Sequence, residues 1–316
     1  MCGTLGTMSE TTFGNQPATE PLFGRLLTAM VTPFAADGSV DEEATASLAA
    51  ELVDRGNDGL VVCGTTGEYS TMTDEENARV FQVVKDAVGD RAKIVAGVGS
   101  NDTAHTLHLT ELAEKAKVDG LLVVTPYYNK PTQAGLLAHF RTVADAADTP
   151  VMLYDIPGRA GIAIDPETIV ELAEHPNIVA VKDAKADLAA GTDVMSRTDL
   201  QYYSGDDGLT LPWLSVGAVG LVGVTTHVDP ERFRKMIDAA VAGDLEEARR
   251  IHRELHPVAK ATMTRAPGAV AAKTILKWQG RLASDAVRLP HVSPTDQELA
   301  LIRSDLEGSV VASTIS

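Results

Sequence analysis

From Leu26 onward, short apolar runs alternate with segments in which apolar residues return every three or four positions. The runs are Leu26 to Thr32, Gly59 to Cys63, Lys93 to Val98, Gly120 to Thr125, Val151 to Ile156, Ile178 to Lys182, Gln201 to Ser204 and Val219 to Val224. Rich in Val, Ile and Leu, they read as parallel strands buried on both faces. Between them, Asp41 to Arg55, Asp74 to Val88, Thr103 to Lys117, Thr132 to Ala147 and Pro166 to Glu174 carry the helical period. Asp41, Thr73, Thr103 and Asp165 are expected N-caps, and Pro166 suits a first helical position.

Eight strand-helix repeats need parallel pairing with right-handed crossovers, and eight such units can close a sheet into a barrel without leaving an edge. An α/β fold is therefore expected, a (β/α)8 barrel over residues 22–242. The alternative, an open doubly wound sheet, should carry a glycine fingerprint after its first strand, and Thr32 to Gly38 is not one. From Gly243 the strand pattern stops. Leu245 to Leu255 and Ala269 to Gln279 read as helices punctuated by Pro257, Pro267 and Pro290, so residues 243–316 are expected to form a small C-terminal helical appendage held against the barrel. Residues 1–21 mix Gly, Thr, Ser and Pro without periodicity and lack the basic start and apolar stretch of a secretory signal; a disordered tail is expected there.

Charge and composition narrow the partners. Acidic residues outnumber basic ones 44 to 27, a net charge of -17 that repels phosphate backbones and anionic lipid, so neither nucleic acid nor a membrane is expected. A distant, screened field does not exclude an anionic small substrate from a pocket with its own cations. No apolar run approaches the ~18 residues of a membrane span. Two cysteines, Cys2 and Cys63, lack metal or redox spacing and point to a reducing, cytoplasmic setting.

In a barrel, reacting groups gather where strands end, because the loops of the carboxyl rim converge on one mouth. Lys182 is anomalous there: Ile178-Val179-Ala180-Val181 reads as a buried strand that ends in a charge. Burial lowers a lysine's pKa, and a free amine attacks carbonyls where an ammonium does not. The competing reading is a lysine that reaches solvent or pairs with Asp183. Tyr154, at the end of the fifth run, offers a phenol for proton transfer, or else a core tyrosine with one hydrogen bond. Thr65 and Thr66, bracketed by glycines, offer hydroxyls and N–H groups to a carboxylate or merely satisfy their loop. Arg159, after Pro157-Gly158, can aim a guanidinium into the mouth or lie exposed. Glu68 is placed to buttress the threonine loop. Lys85, Lys115, Lys117, Lys93, Lys273 and Lys277 fit surface roles.

Other pairs carry less. His252 and His256 are one turn apart, but Arg253 stands where a zinc peptidase needs glutamate. His105 and His108 lack a convincing third ligand. Gly97-Val98-Gly99 lacks the rest of a phosphate loop. No metal and no cofactor is expected.

Four segments in order and spacing, Gly64-Thr65-Thr66-Gly67-Glu68, Val124 to Pro131, Tyr154-Asp155-Ile156-Pro157-Gly158-Arg159 and Val181-Lys182-Asp183-Ala184, resemble the pyruvate-dependent class I aldolase family that contains dihydrodipicolinate synthase and N-acetylneuraminate lyase. The resemblance runs from about Leu26 to Pro290, and the double threonine and Arg159 favour the synthase branch. It implies a Schiff-base aldol condensation of pyruvate with aspartate 4-semialdehyde, on the route to lysine and diaminopimelate. It also implies roles. Lys182 forms the imine; Tyr154, Thr65 and Tyr128 pass protons, with Tyr128 reaching into a neighbouring subunit; Thr66 and Val222 hold pyruvate; Arg159 binds the second carboxylate. A homo-oligomer follows, a homotetramer built as a dimer of dimers.

Asp155, where many members carry asparagine, and Ala160, in place of a common threonine, depart from the pattern. In members that lysine inhibits, a histidine pair, a glutamate, an asparagine and a tyrosine bind it. Here Asn101 and Tyr127 match, whereas Asp74, Asn77 and His105 hold the histidine and glutamate places, so weak or absent inhibition is expected. The rival readings are a sugar-acid aldolase of the same family and a barrel that has kept the fold without catalysis.

Overall fold

A computed structural model describes residues 20–315. Eight parallel strands, β1 (Leu26–Ala29), β2 (Gly59–Val62), β3 (Lys93–Gly97), β4 (Gly120–Val124), β5 (Val151–Asp155), β6 (Ile178–Asp183), β7 (Gln201–Ser204) and β8 (Gly220–Gly223), pair in sequence order, and β8 returns to β1 to close the barrel. All eight expected strands are present, most of them shortened by a residue or two where the rim loops begin.

The expected helices lie outside the sheet as α1 (Glu42–Asp54), α2 (Asp74–Val88), α3 (Thr103–Lys115), α4 (Gln133–Ala146) and, after the single turn α5 (Pro157–Ala160), α6 (Pro166–Leu172). The remaining repeats, for which the sequence pattern singled out no helix, are completed by α7 (Leu188–Arg197), α8 (Thr210–Ser215) and α9 (Pro230–Val241). Asp41 and Thr73 cap their helices, and Glu76 completes a capping box with Thr73. At α3 the cap is Asp102, whose carboxylate accepts from the Ala104 N–H, so the expected cap Thr103 is instead the first helical residue. Asp165 occupies its N-cap position without a side-chain hydrogen bond.

Register fixes what the interior contains. Val124 pairs with Tyr154, Tyr154 with Lys182 and Lys182 with Tyr203, so these side chains share one face, while their neighbours Asp155 and Asp183 share the other. Phe23 plugs the amino end of the barrel against Gly120, where an added Cβ would come within 2.5 Å of the ring. The Tyr203 hydroxyl donates to the Gly24 carbonyl at the same end. With that end sealed, the interior opens at the carboxyl rim alone.

Beyond the barrel run α10 (Leu245–Thr264), α11 (Gly268–Trp278) and α12 (Asp296–Glu307). Pro257, expected to interrupt, lies inside α10. Leu255, Val258, Ala259, Ala261 and Thr262 are buried around it, and that packing outweighs the one backbone hydrogen bond a proline removes. Leu26 and Leu221 of the barrel share a core with Phe233, Met236, Ile251 and Leu255, which ties α9 and α10 to the junction of β1 and β8.

At that junction Gly220 has no room for a side chain: a Cβ would lie 2.1 Å from the Arg25 carbonyl oxygen. Gly220→Ala should therefore cost roughly 1–3 kcal/mol of stability, read as a lowered urea midpoint at unchanged slope. A midpoint equal to wild type would show that the junction yields.

Candidate active site

Lys182 sits one residue before the end of β6, 5 % exposed, with Ala180 fully buried two positions below it on the same face. Burial pulls the lysine pKa down to about 8, the nearby Asp207 carboxylate opposing and the Arg159 guanidinium reinforcing the shift. Its Nζ lies 4.3 Å from the centre of the Tyr154 ring. The exposed or surface-paired lysine is thereby excluded. The amine is held among an aromatic face, small side chains and one buried carboxylate, where losing its proton costs far less than in water.

Tyr154 is buried, which pushes its phenol up to about 12, while Arg159 and a hydrogen bond with Thr65 pull the other way. Thr65 and Thr66 follow β2 in a tight loop that needs Cys63 and Glu68 in the left-handed region, at φ 52° and 57°. A Cβ on Gly67 would come within 3.1 Å of the Cys63 backbone. Thr32 donates to the Gly67 carbonyl at 2.7 Å and pins the loop from β1's side.

Glu68 does buttress this loop, by a route the sequence pattern did not disclose. Its carboxylate meets the Nζ of Lys273 at 2.5 Å and accepts from the Arg288 N–H at 3.1 Å. The assignment of Lys273 to the surface is therefore corrected: on α11 it is fully buried, its charge answered by Glu68 and its ammonium 4.1 Å from the Phe34 ring centre. Arg288 stacks on the same ring at 4.5 Å and grips Glu76 through two hydrogen bonds. The C-terminal segment is thus clamped to the loop that carries the two threonines.

Thr65, Thr66, Tyr154, Arg159 and Lys182 line one cavity at the rim, with about 70 Å³ open to the centre of a water. Ile156, Gly205 and Val224 add to its wall, and the C-terminal segment closes it with Met263, Pro267, Gly268, Ala269 and His291. Arg159 reaches the mouth from α5, where Pro157 occupies the first position of a single helical turn. Val222 is fully buried on β8 beside Leu27 and is not among the lining residues; Val224, two residues on and past the strand, is. Tyr128 points away: 87 % exposed and held at φ 75°, it stands on the surface of its own chain, its N–H donating to the Ala160 carbonyl. Larger hollows around Thr198 to Gln201 lie at the opposite rim, and no buried ionisable group lines them.

Other site residues gave no individual signal in the sequence. Asp207 is buried behind the cavity, its carboxylate accepting from the Val224 and Thr225 N–H groups; burial raises its pKa to about 6. Tyr69 is hydrogen-bonded to Tyr127 and lies close to Tyr154. On the outer face of β5, Lys185 pairs with Asp155 at 3.0 Å and donates to the Ile164 carbonyl, so the carboxylate at this departure from the family pattern is answered by a cation. Among the described residues, no group of three or more His, Cys, Asp or Glu side chains is placed to hold a metal. The Asp74 carboxylate meets His105 at 2.9 Å and lies 3.7 Å from His108.

Fold and rim together define a class: a closed (β/α)8 barrel with a lysine-centred carbonyl site of the Schiff-base aldolase type. The chain belongs to the dihydrodipicolinate synthetase family, whose model matches residues 22–308. It is 58 % identical over 284 residues, 90 % of this chain and 92 % of the relative, to the 4-hydroxy-tetrahydrodipicolinate synthase of Acidothermus cellulolyticus. It superposes with a TM-score of 0.88, at 42 % identity and over 90 % of this chain and 97 % of the other, on DHDPS from Cyanidioschyzon merolae with lysine bound. For the chloride-inhibited dihydrodipicolinate synthase of Acinetobacter baumannii complexed with pyruvate, the values are 0.87, 32 %, 90 % and 98 %.

Two predictions come from this geometry. Lys273→Met leaves the Glu68 carboxylate buried without its partner and should cost about 3–5 kcal/mol, with Glu68→Gln in the same chain restoring part of it; urea unfolding of the three proteins reads both. The amine reacts in its neutral form, so the rate of imine formation with pyruvate should rise about tenfold per pH unit up to about 8 and level off above. A rate of borohydride-trapped mass gain that stayed flat from acid pH upward would contradict the neutral-amine assignment.

Proposed function

We propose that Lys182, Tyr154, Thr65, Thr66 and Arg159 carry out the condensation of pyruvate with aspartate 4-semialdehyde to 4-hydroxy-tetrahydrodipicolinate. Family membership supports the reaction; the buried amine at the rim is the observation that supports the assignment of residues. Lys182 adds to the pyruvate carbonyl, and loss of water gives the imine. A proton leaves the methyl carbon to give an enamine, whose terminal carbon attacks the aldehyde. The aldehyde oxygen takes up a proton, and ring closure by the substrate's amine releases the lysine.

The surroundings suit these steps. Thr66 lines the same cavity as Lys182 and can hold the pyruvate carboxylate, with Val222 buried in the barrel interior. Tyr154, hydrogen-bonded with Thr65, sits against the amine where the carbinolamine loses its hydroxyl. Arg159 is the cation at the mouth for the carboxylate of the second substrate. No cofactor enters this scheme, because the imine itself withdraws the electrons that a metal would otherwise polarise.

Tyr128 is the remaining member, and its exposure supports a role outside its own chain. In a homo-oligomer, here a tetramer built as a dimer of dimers, it completes the neighbour's proton path beside Thr65. No helix among the described residues is long and apolar enough to cross a membrane, in keeping with a biosynthetic enzyme of the cytoplasm. We assign residues 22–242 to the catalytic barrel and residues 243–316 to an appendage whose described part the Glu68 and Lys273 pair ties to the active-site loop. The tail expected over residues 1–21 lies almost wholly outside the described residues.

Intact-mass spectrometry after pyruvate and borohydride should show one adduct per chain, absent in Lys182→Ala; an adduct that persisted in the variant would move the nucleophile elsewhere. Arg159→Ala should trap pyruvate normally while kcat/KM for aspartate semialdehyde falls on the order of a hundredfold, about 2.7 kcal/mol of transition-state binding. Equal turnover of a sugar-acid aldehyde by the wild type would favour the rival aldolase instead. Lysine should inhibit weakly or not at all, because Asp74 already engages His105 and Asn77 is buried against the Tyr69 and Thr73 carbonyls; a low-micromolar inhibition constant would refute this.

A further inference from the structure

The catalytic scheme moves a proton off the pyruvate methyl group, and within one chain the acceptor Tyr154 is shut off from solvent while its partner Thr65 is half-buried. Behind them lies a second, smaller cavity lined by Thr65, Tyr154 and Tyr69 together with Cys63, Gly97 and Val124. Its free space, about 10 Å³ for the centre of a water, matches a single water molecule. Gly64 and Gly99 complete the wall and leave the three hydroxyl-bearing side chains as its main polar groups. Tyr69 is itself mostly buried, and burial together with its hydrogen bond to Tyr127 pushes its phenol far above the usual range. Tyr127 is half-buried and adjoins the exposed Tyr128.

We infer that Tyr69 is a positioning residue in a second proton path, which runs from Tyr154 and Thr65 across the single-water cavity to Tyr69 and Tyr127 and so to the surface. The inference rests on the aldolase reading of the Lys182 site. In the forward direction the C–H bond of the imine's methyl group breaks, its electron pair forms the enamine double bond, and the iminium nitrogen becomes neutral. The Tyr154 oxygen takes that proton as its own passes to Thr65, and each oxygen along the path hands one on, so that a proton leaves at Tyr127. The same path runs backward when the aldehyde oxygen is protonated, and the cycle leaves no net proton. A phenol suits such a link because it donates and accepts at once while its raised pKa keeps it from ionising.

The test is deuterium wash-in to the pyruvate methyl group in D2O, followed by NMR, with borohydride trapping of the imine measured on the same samples. Tyr69→Phe keeps the ring and removes the hydroxyl. It should slow wash-in about tenfold and leave trapping at the wild-type level. Tyr127→Phe, a change nearer the surface that serves should Tyr69→Phe fold poorly, should do the same, and the double variant should be no slower than the slower single one. Wild-type wash-in in either variant, strictly additive losses in the double variant, or a parallel loss of trapping and wash-in would each overturn the path. Wash-in needs no aldehyde, so an enzyme that proved to use a different second substrate would sink the reading of the reaction without touching this result.

Discussion

An amine that must be uncharged to react has to be kept out of water, and in this chain that single requirement sets the arrangement of everything around it. Lys182 is buried at the end of a strand whose other inward positions are apolar, so the ammonium is penalised by lost hydration. Complete isolation would be wrong as well, because the imine that follows is a cation when protonated. The buried Asp207 answers that charge from behind while its oxygens are held by backbone N–H groups of the segment after β8. A carboxylate fixed in this way opposes the fall in the lysine's pKa only partly, leaving the amine near neutrality rather than far below it.

The same site exposes the cost of building a pocket from distant parts of the chain. The threonine loop leaves β2 through two left-handed residues, and such a loop does not hold its shape on backbone preference alone. Its anchor is a lysine 205 residues away in sequence, buried against Glu68 and over the Phe34 ring, with Arg288 on the same ring. A buried pair of this kind adds little net stability relative to apolar packing, but breaking it is expensive. Its use here is geometric: it fixes where α11 and the strand-free segment after it meet the rim, α11 bringing Gly268 and that segment His291 to a cavity wall that Met263 of α10 also lines.

Period and punctuation were enough to count the strands, place the carboxyl rim and single out Lys182, because a charge at the end of an apolar run violates the local pattern and cannot be hidden by it. Thr65, Thr66, Tyr154 and Arg159 were visible for the same reason, each standing at a strand end. What stayed hidden depends on contacts between segments far apart in sequence. Lys273 on an amphipathic helix looks like any surface lysine until Glu68 is brought against it. Pro257 looks like a stop until five buried neighbours hold the helix together around it. Tyr69 carries no local sign of its partner, since the hydroxyl of Tyr127 arrives from the loop after β4. Asp102 against Thr103 at the start of α3 is a different failure: two adjacent good caps, between which the helix start shifts by a single residue.

Asp155, a departure from the family's pattern, is accommodated by its surroundings. A carboxylate in place of an amide at the end of β5 lies directly beside Asp183 in register, on the outer face of the barrel, and two buried negative charges there would repel. Lys185, two residues beyond Asp183, folds back to Asp155, and its own N–H donates to Asp183, so one residue answers both carboxylates. The cluster stands immediately behind Tyr154 and Lys182, one position along each strand. Its net charge therefore bears on the site through the strands themselves: any shift in β5 relative to β6 that relieved the repulsion would also slide the phenol along the amine. Lys185 removes the reason for such a shift, and the register that sets the phenol against the amine is kept although the residue next to Tyr154 has changed character.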